Sequence, residues 1–277
     1  MRWAYAFCFG KARPFFMMIL NPKVPVALLA LAVGYSAAAY AGTSGQATAL
    51  LARSLAALSS GQTIRDVKLQ GAVNYVAGSD EETGPATLEA AGDVQNRVVL
   101  NLSGGQRTQI QNGVLASSTG PDGQTQLLPL HNSLNPAAWF FPALLVQGLL
   151  QDPSYSVTYD GIEDLNGASA HHFSAVRAPS GQGDAQTMAL LGQLSAFDLY
   201  LDTGTLLPVS LAFNTHPGNN ALQDIPISIE FSGYGKTSGV MTPLHIQKYL
   251  QRSLLLDISA PSVSINSGLA PGDFQIQ

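Results

Sequence analysis

Cysteine is almost missing from this sequence, because Cys8 is the only one among 277 residues. A lone cysteine cannot form an intramolecular disulfide, and a metal site built from several thiolates is excluded as well. Charged residues are also sparse, at 11% of the chain, whereas glycine is common with 27 residues. This composition favours short strands and turns over long, charged helices.

Acidic residues are absent from the first 41 positions, which carry four of the thirteen basic residues. Residues 24–39 form an apolar run, and Ala39-Tyr40-Ala41 has the small-x-small pattern that signal peptidase accepts. We therefore predict a signal peptide over residues 1–41, cleaved after Ala41, and one domain over 42–277 in the periplasm or outside the cell. A membrane anchor is the weaker alternative because the apolar run is short for a span.

Cleavage would leave an acidic domain, with nine basic residues against eighteen acidic ones and a net charge near −9. Nucleic acid is excluded as a partner on that balance. The same cleavage would remove Cys8, so no thiol nucleophile would remain.

Nucleotide-binding motifs are missing despite one partial match. Residues 102–107 read LSGGQR, the signature of ABC-transporter ATPases, but the chain has no P-loop. The nearest P-loop match, at Gly235-Lys236-Thr237, has Glu230 where the first glycine is required. We interpret Ser103 to Gln106 as a hairpin turn and expect no nucleotide.

Catalytic and metal-binding patterns are missing as well. The adjacent His171 and His172 would point to opposite faces of a strand, so they cannot readily share one metal ion. No G-x-S-x-G nucleophile motif occurs, and the carboxylates of Asp80-Glu81-Glu82 and Glu163-Asp164 lie in polar, turn-like stretches. We therefore predict no enzyme activity, no cofactor and no metal site.

Alternating apolar and polar residues dominate the rest of the chain. An amphipathic helix is predicted over Ala47 to Leu58, and the acidic stretch Ser79 to Gly84 is interpreted as a turn. The period changes from 3.6 to 2 at Asp66, where a strand begins. Further strands are predicted at 97–102, 108–111, 123–128, 155–159, 170–176, 197–201, 209–213, 225–231, 244–250 and 254–258.

Two segments interrupt this strand pattern. Asn135 to Leu150 is apolar nearly all round and is predicted as a helix with an Asn cap, which Pro142 kinks or restarts. Asp184 to Leu194 is predicted as a shorter helix or an ordered loop.

The second half of the chain carries a succession of hairpins that together indicate a family. They comprise a strand-turn-strand over 155–173, a hairpin over 197–213 with Asp202-Thr203-Gly204 at its tip, a hairpin over 229–246, and the ending VSINSGLAPGDF over 263–274. In order and spacing, this succession resembles the periplasmic outer-membrane lipoprotein carrier and its relatives, the LolA/LolB-like superfamily. Arg97 and Arg107 are alternatives for the arginine that closes the lid of that carrier.

The resemblance implies a mainly β (α+β) fold in which a strongly curved antiparallel sheet forms an open half-barrel with a few capping helices. It implies a non-catalytic binding module for lipid or lipoprotein acyl chains, with a lipid or an acylated protein as partner. The candidate ligand-binding residues are two apolar sets, namely Trp139, Phe140, Phe141, Leu144, Leu145 and Leu149 from the apolar segment and Ile227, Ile229 and Phe231 from one strand face.

Three alternatives remain open from the sequence. Both apolar sets can be ordinary core packing. The same half-barrel with a filled core can serve as an envelope protein-interaction or sensor module without a lipid ligand. An enzyme on a β scaffold ranks last, because it needs a cleft that gathers titratable groups with perturbed pKa values.

Overall fold

The computed structural model describes residues 44–177 and 184–276, and its main feature is one antiparallel sheet of thirteen strands. The predicted signal peptide lies outside the described residues. The strands are β1 Asp66–Ala77, β2 Asp80–Ala91, β3 Gln95–Leu102, β4 Gly105–Asn112, β5 Leu115–Thr119, β6 Thr125–Leu127, β7 Tyr155–Leu165, β8 Ala168–Arg177, β9 Phe197–Asp202, β10 Pro208–Thr215, β11 Ile225–Thr237, β12 Val240–Leu250 and β13 Ser253–Ile265.

Four α-helices and one 3₁₀ turn accompany the sheet. They are α1 Gly45–Ser59, α2 Leu130–Ser133, α3 Pro142–Gln151 and α4 Ala185–Leu194, with the 3₁₀ turn at Pro271–Phe274. Helix α1 begins where the Ser44 hydroxyl accepts a hydrogen bond from the Ala47 amide at 3.1 Å, and α4 is capped in the same way by Asp184. Both predicted helices are confirmed at these positions.

Strands that follow each other in the chain are also neighbours in the sheet, with one exception. The order runs from β6 back to β1, then from β13 back to β7, so the pairing of β1 with β13 joins the two halves of the chain. Strands β6 and β7 form the two edges, and the sheet is not closed. The predicted open antiparallel half-barrel is confirmed.

The curvature of the sheet follows from what the helices contact. Helices α1 and α3 pack on each other, and each contacts both β7 and β12. These two strands are five steps apart in the sheet, a distance of roughly 24 Å if the sheet were flat. A helix is only about 10 Å across, so the sheet must wrap around the helix pair.

The strand predictions have two omissions and one error. Strands β2 and β5 were not predicted, and the acidic stretch 79–84 is not a turn: only Gly78 and Ser79 form the turn, and β2 begins at Asp80. The register pairs Ala77 with Asp80 and continues without a break to Asp66, so backbone pairing with β1 overrides the polar composition of this stretch. The carboxylates of Asp80-Glu81-Glu82 and of Glu163-Asp164, which were expected in turn-like stretches, lie on β2 and β7. The turn interpreted at LSGGQR is confirmed, since Leu102 pairs with Gly105 around Ser103-Gly104.

The apolar segment 135–150 is helical only from Pro142 onward, so the helix with an Asn135 cap was wrong for its first half. Phe141 lies outside the α region, with φ −134° and ψ 86°, because a following proline disfavours that region. Two carbonyls of this stretch accept hydrogen bonds from sheet side chains, which replace helical bonds: Asn135 from Gln111 at 3.1 Å and Ala137 from Asn96 at 2.6 Å.

Candidate functional site

Residues 128–141, here called the crossing segment, run across the concave side of the sheet between β6 and α3. On one wall the side-chain amide of Gln111, on β4, donates to the Ser133 carbonyl at 2.8 Å. On the other wall the side-chain amide of Asn132 donates to the His216 carbonyl at 2.8 Å, and Asn132 Oδ1 accepts from the Thr215 hydroxyl at 2.9 Å. The segment therefore bridges β4 and β10, which are seven strands apart in the sheet.

Two adjoining cavities lie beside the crossing segment, with volumes of about 250 Å³ and 230 Å³. Both are bordered by Gln109, Trp139, Lys248 and Leu255. The first cavity is further lined by Asn96, Gln111, Leu128, Asn132, Asn135, Pro136, Phe213, Thr215, Ile227 and Leu250. The second is further lined by Tyr75, Val98, Leu100, Arg107, Thr108, Ser118 and Leu256. Each cavity thus combines an apolar wall with polar side chains.

Lys248 lies where the two cavities meet. Its Nζ is 4.5 Å from the centroid of the Trp139 ring, a cation–π contact. The side chain is half-buried because it borders the cavities, yet the protein atoms around the amine remove much of its hydration. This desolvation lowers the pKa of Lys248 to about 8.

Arg107, the other cation at these cavities, is already neutralised. Its guanidinium forms an ion pair with Glu82 at 2.6 Å and lies over the Tyr75 ring, 4.9 Å from the centroid. The hydrogen bond from Arg107, together with one from the Gly104 amide, lowers the pKa of the Glu82 carboxyl. Arg97, the alternative lid-closing arginine, borders neither cavity and pairs with Glu89 at 2.6 Å.

The nine predicted ligand-binding residues are all buried in one core cluster. Trp139 and Ile227 also border the cavities, and Phe231 borders a separate depression of about 200 Å³ beside the β7–β8 turn. The remaining six are at most 3% exposed, namely Phe140, Phe141, Leu144, Leu145, Leu149 and Ile229. The structure brings the nine together, and their role in ligand binding stays a prediction.

The polar residues of the cavities were not predicted. A signal for Lys248 was nevertheless present, because it occupies the same alternation as Leu244, Ile246 and Leu250 on β12. A lysine on the apolar face of a strand indicates an inward-pointing charge. Gln109 and Gln111 carried no comparable signal, since their own face of β4 has no apolar side chain.

The adjacent histidines point away from each other, as expected for a strand. His171 Nδ1 lies 2.8 Å from the Tyr159 hydroxyl, whereas His172 lies 2.9 Å from both Glu163 and Asp198. Among residues 44–177 and 184–276, no group of three or more His, Cys, Asp or Glu side chains could hold a metal ion.

No helix within residues 44–177 and 184–276 is long and apolar enough to cross a membrane.

Comparison with known proteins gives matches in structure only. Neither a protein-family model nor a curated protein sequence matches this chain. A LolA superfamily protein from Nitrosomonas europaea is similar with a TM-score of 0.52 and 11% identity, covering 82% of this chain and 96% of that one. A domain from Vibrio parahaemolyticus assigned to outer membrane lipoprotein sorting has a TM-score of 0.51 and 11% identity, covering 82% and 95%.

A third solved structure is also similar to this chain. A DUF1329 family protein from Desulfovibrio piger has a TM-score of 0.50 and 10% identity, covering 85% of this chain and 98% of that one. The resemblance to the LolA superfamily is therefore confirmed at the level of the fold.

Proposed function

We propose that this protein is an exported, non-catalytic binding module for lipid or lipoprotein acyl chains. Under this proposal, residues 1–41 are the export signal, and the domain from Gly42 works in the periplasm or outside the cell with a lipid or an acylated protein as its partner. The fold shared with a lipoprotein-sorting domain supports the proposal without specifying the cargo.

The observation that carries the proposal is the pair of adjoining cavities on the concave side of the sheet. Their apolar wall includes Trp139, Ile227 and Leu255, which suits a hydrocarbon chain. Each cavity alone is smaller than the roughly 300 Å³ at which small-molecule pockets begin. A full acyl chain therefore requires both cavities and some movement of the crossing segment.

Movement of the crossing segment has an energetic cost that burial of the ligand chain would have to offset. Nine hydrogen bonds among the described residues hold the segment to the sheet and its loops, including those from Gln111, Asn96 and Asn132, and each contributes about 1 kcal/mol net because water can replace the partner. Burying ten methylenes of a chain gains about 8 kcal/mol, which is of comparable size. We propose that the chain first contacts Trp139 and Ile227 and then reaches Phe140, Phe141 and the other predicted residues as the segment lifts.

Native mass spectrometry of the chain from Gly42 onward, purified from the cell envelope without detergent, tests the proposal. We expect a stoichiometric adduct that is extracted by organic solvent as lipid. The variant Leu255→Trp fills space that borders both cavities and should lose the adduct. Leu254→Trp is the matched control, because Leu254 pairs with Tyr249 and borders neither cavity.

An envelope protein-interaction module is the second candidate function. It is favoured by four exposed apolar residues around β5, β6 and α2, of which Leu127 is 68% exposed; the others are Val114, Leu115 and Leu130. Exposed apolar patches often mark protein contacts. A clean apo mass, unchanged after incubation with phospholipids or acylated peptides, would refute the lipid proposal and leave this one.

A further inference from the structure

Lys248 differs from every other basic residue in the described part of the chain. That part contains nine lysines and arginines. Lys68, Arg97, Arg107 and Arg177 form ion pairs with carboxylates. Arg53, Arg65, Lys236 and Arg252 are exposed to solvent. Lys248 alone is half-buried and has no carboxylate within 4.0 Å among residues 44–177 and 184–276. Its amine instead lies over the Trp139 ring.

The surroundings of Lys248 are electropositive. The described residues that line the two cavities include Lys248 and Arg107 but no aspartate or glutamate, although the chain contains eighteen acidic residues. The charge of Arg107 is balanced by Glu82, so the positive charge of Lys248 is the one left uncompensated. A partly desolvated cation without a counter-ion is costly, and an anionic ligand group would remove that cost.

Hydrogen-bond acceptors in the first cavity are also unsatisfied. The side-chain oxygens Asn96 Oδ1 and Asn135 Oδ1 are buried and have no hydrogen-bond partner among the described residues, and both residues line this cavity. Asn96 is only 3% exposed, so bulk water does not readily solvate its oxygen. Buried carbonyl oxygens of this kind are normally paired with a donor such as a hydroxyl, an amide or an ordered water.

We infer that the cargo is an anionic amphiphile, whose carboxylate or phosphate group pairs with Lys248 while its hydrocarbon chain lies against Trp139 and Leu255. Hydroxyl or amide groups near the head would donate to Asn96 and Asn135. The inference rests on the proposed function, because it defines the class of ligand that the same cavities select. The lowered pKa of Lys248, about 8, agrees with an amine that lacks a counter-ion.

The inference is tested with pairs of ligands that differ only in charge. Pyrene-labelled hexadecanoic acid and its methyl ester are titrated into the chain from Gly42 onward, and fluorescence gives each Kd. We expect the acid to bind at least about tenfold more tightly than the ester, as loss of a charge-assisted contact implies. Dodecyl phosphate, dodecanoate and dodecanol, used as competitors, compare a phosphate head and a carboxylate head with an uncharged one.

Variants test whether Lys248 causes the preference for the acid over the ester. Lys248→Met should bind acid and ester equally, at the level of the ester, and Lys248→Arg should keep the preference for the acid. Lys236→Met is the matched control, because Lys236 is an exposed lysine on the neighbouring strand β11. Its preference should equal that of the parent protein.

The outcomes separate this inference from the proposed function. Equal binding of acid and ester by the parent protein, or a preference retained in Lys248→Met, would overturn the inference and leave lipid binding intact. Failure of the parent protein to bind acid, ester or phosphate would overturn both. Tighter competition by dodecyl phosphate than by dodecanoate would assign the site to a phosphate head group, and the reverse order to a fatty acid.

Discussion

His172 makes three close contacts on the surface of the sheet. Its ring stacks on Tyr200, with centroids 4.6 Å apart, and its two nitrogens face Glu163 and Asp198 at 2.9 Å each. Desolvation lowers the pKa of His172, but the hydrogen bonds to Asp198 and Glu163 outweigh it, so the pKa is raised above 6.5. The protonated ring thus stabilises the pairing of β7, β8 and β9.

Replacing His172 should therefore cost stability in a pH-dependent way. Because the folded-state pKa is raised, the stabilisation is fully present below the unfolded pKa and is lost as the pH rises through the folded pKa. We expect His172→Gln to lower the free energy of unfolding by up to about 1 kcal/mol near pH 5, since Glu163 and Asp198 are about half exposed, and by less near pH 8. Urea unfolding at both pH values measures the difference. A larger effect near pH 8 would contradict the assignment.

At the scale of single residues, the sequence predicts burial correctly where a side chain is apolar. The nine apolar candidates lie in one core cluster, because an apolar run and alternation along a strand report burial, whereas their role as ligand-binding residues stays a prediction. Lys248, Gln109 and Gln111 were missed because their neighbours across the cavity come from distant strands and from the crossing segment. A single sequence does not report those distances, although the inward position of Lys248 was readable from β12.

At the scale of elements, the crossing segment is the part of the molecule that we expect to open. Gln111→Leu removes two hydrogen bonds to it, at Ser133 and Asn135, while keeping the bulk of the side chain. Each bond is worth about 1 kcal/mol, so hydrogen exchange in residues 128–141 should accelerate by about tenfold or more. Exchange followed by mass spectrometry measures this change.

A neighbouring glutamine serves as control for this prediction. Gln106 is exposed and bonds only to the Asn101 side chain among the described residues, so Gln106→Ala should leave exchange in the crossing segment unchanged. Unaltered exchange in Gln111→Leu, with the variant folded, would show that these hydrogen bonds do not hold the segment.

Element prediction failed where backbone pairing outweighs local composition. Strand β2 carries three acids, Gly84 and Pro85 in its first half, yet this half is paired with β1 throughout. Pro85 is tolerated because β2 pairs with β3 only from Ala86 onward, so Pro85 lies at the end of that ladder. Only the burial of Ala86, Leu88 and Ala90 in its second half follows the alternation that sequence analysis detects.

At the scale of the whole molecule, the β1–β13 pairing joins the two halves of the sheet, and Gly71 allows it. A Cβ atom at residue 71 would collide with the Ser259 carbonyl oxygen on β13. Gly71→Ala should therefore lower the free energy of unfolding by about 3 kcal/mol in urea titration. Gly45→Ala is the control, since among the described residues no atom outside its chain neighbours and its own helix backbone lies within 4 Å of the added methyl, and its effect should stay below about 1 kcal/mol. Similar effects of the two variants would refute the role of Gly71.

The segment after β13 stabilises the sheet but does not border the two cavities. Substitutions there should therefore change the stability of the protein without changing its affinity for ligand. Asp66 accepts hydrogen bonds from the Ser267 amide at 2.6 Å and the Gly268 amide at 3.1 Å. Beyond them the 3₁₀ turn packs on β3 and β4 with Phe274 fully buried, and Phe274 borders neither cavity.

Phe274→Ala should therefore lower the free energy of unfolding by about 3 to 5 kcal/mol, because it leaves a cavity beneath the turn. The Kd for pyrene-labelled hexadecanoic acid, measured well below the unfolding transition, should change less than about twofold. Gln275→Ala, at the exposed neighbouring position, should alter neither quantity. A tenfold loss of affinity in fully folded Phe274→Ala would mean that the packing of this segment and the cavities are coupled. Opening of the crossing segment would then depend on the packing of the 3₁₀ turn.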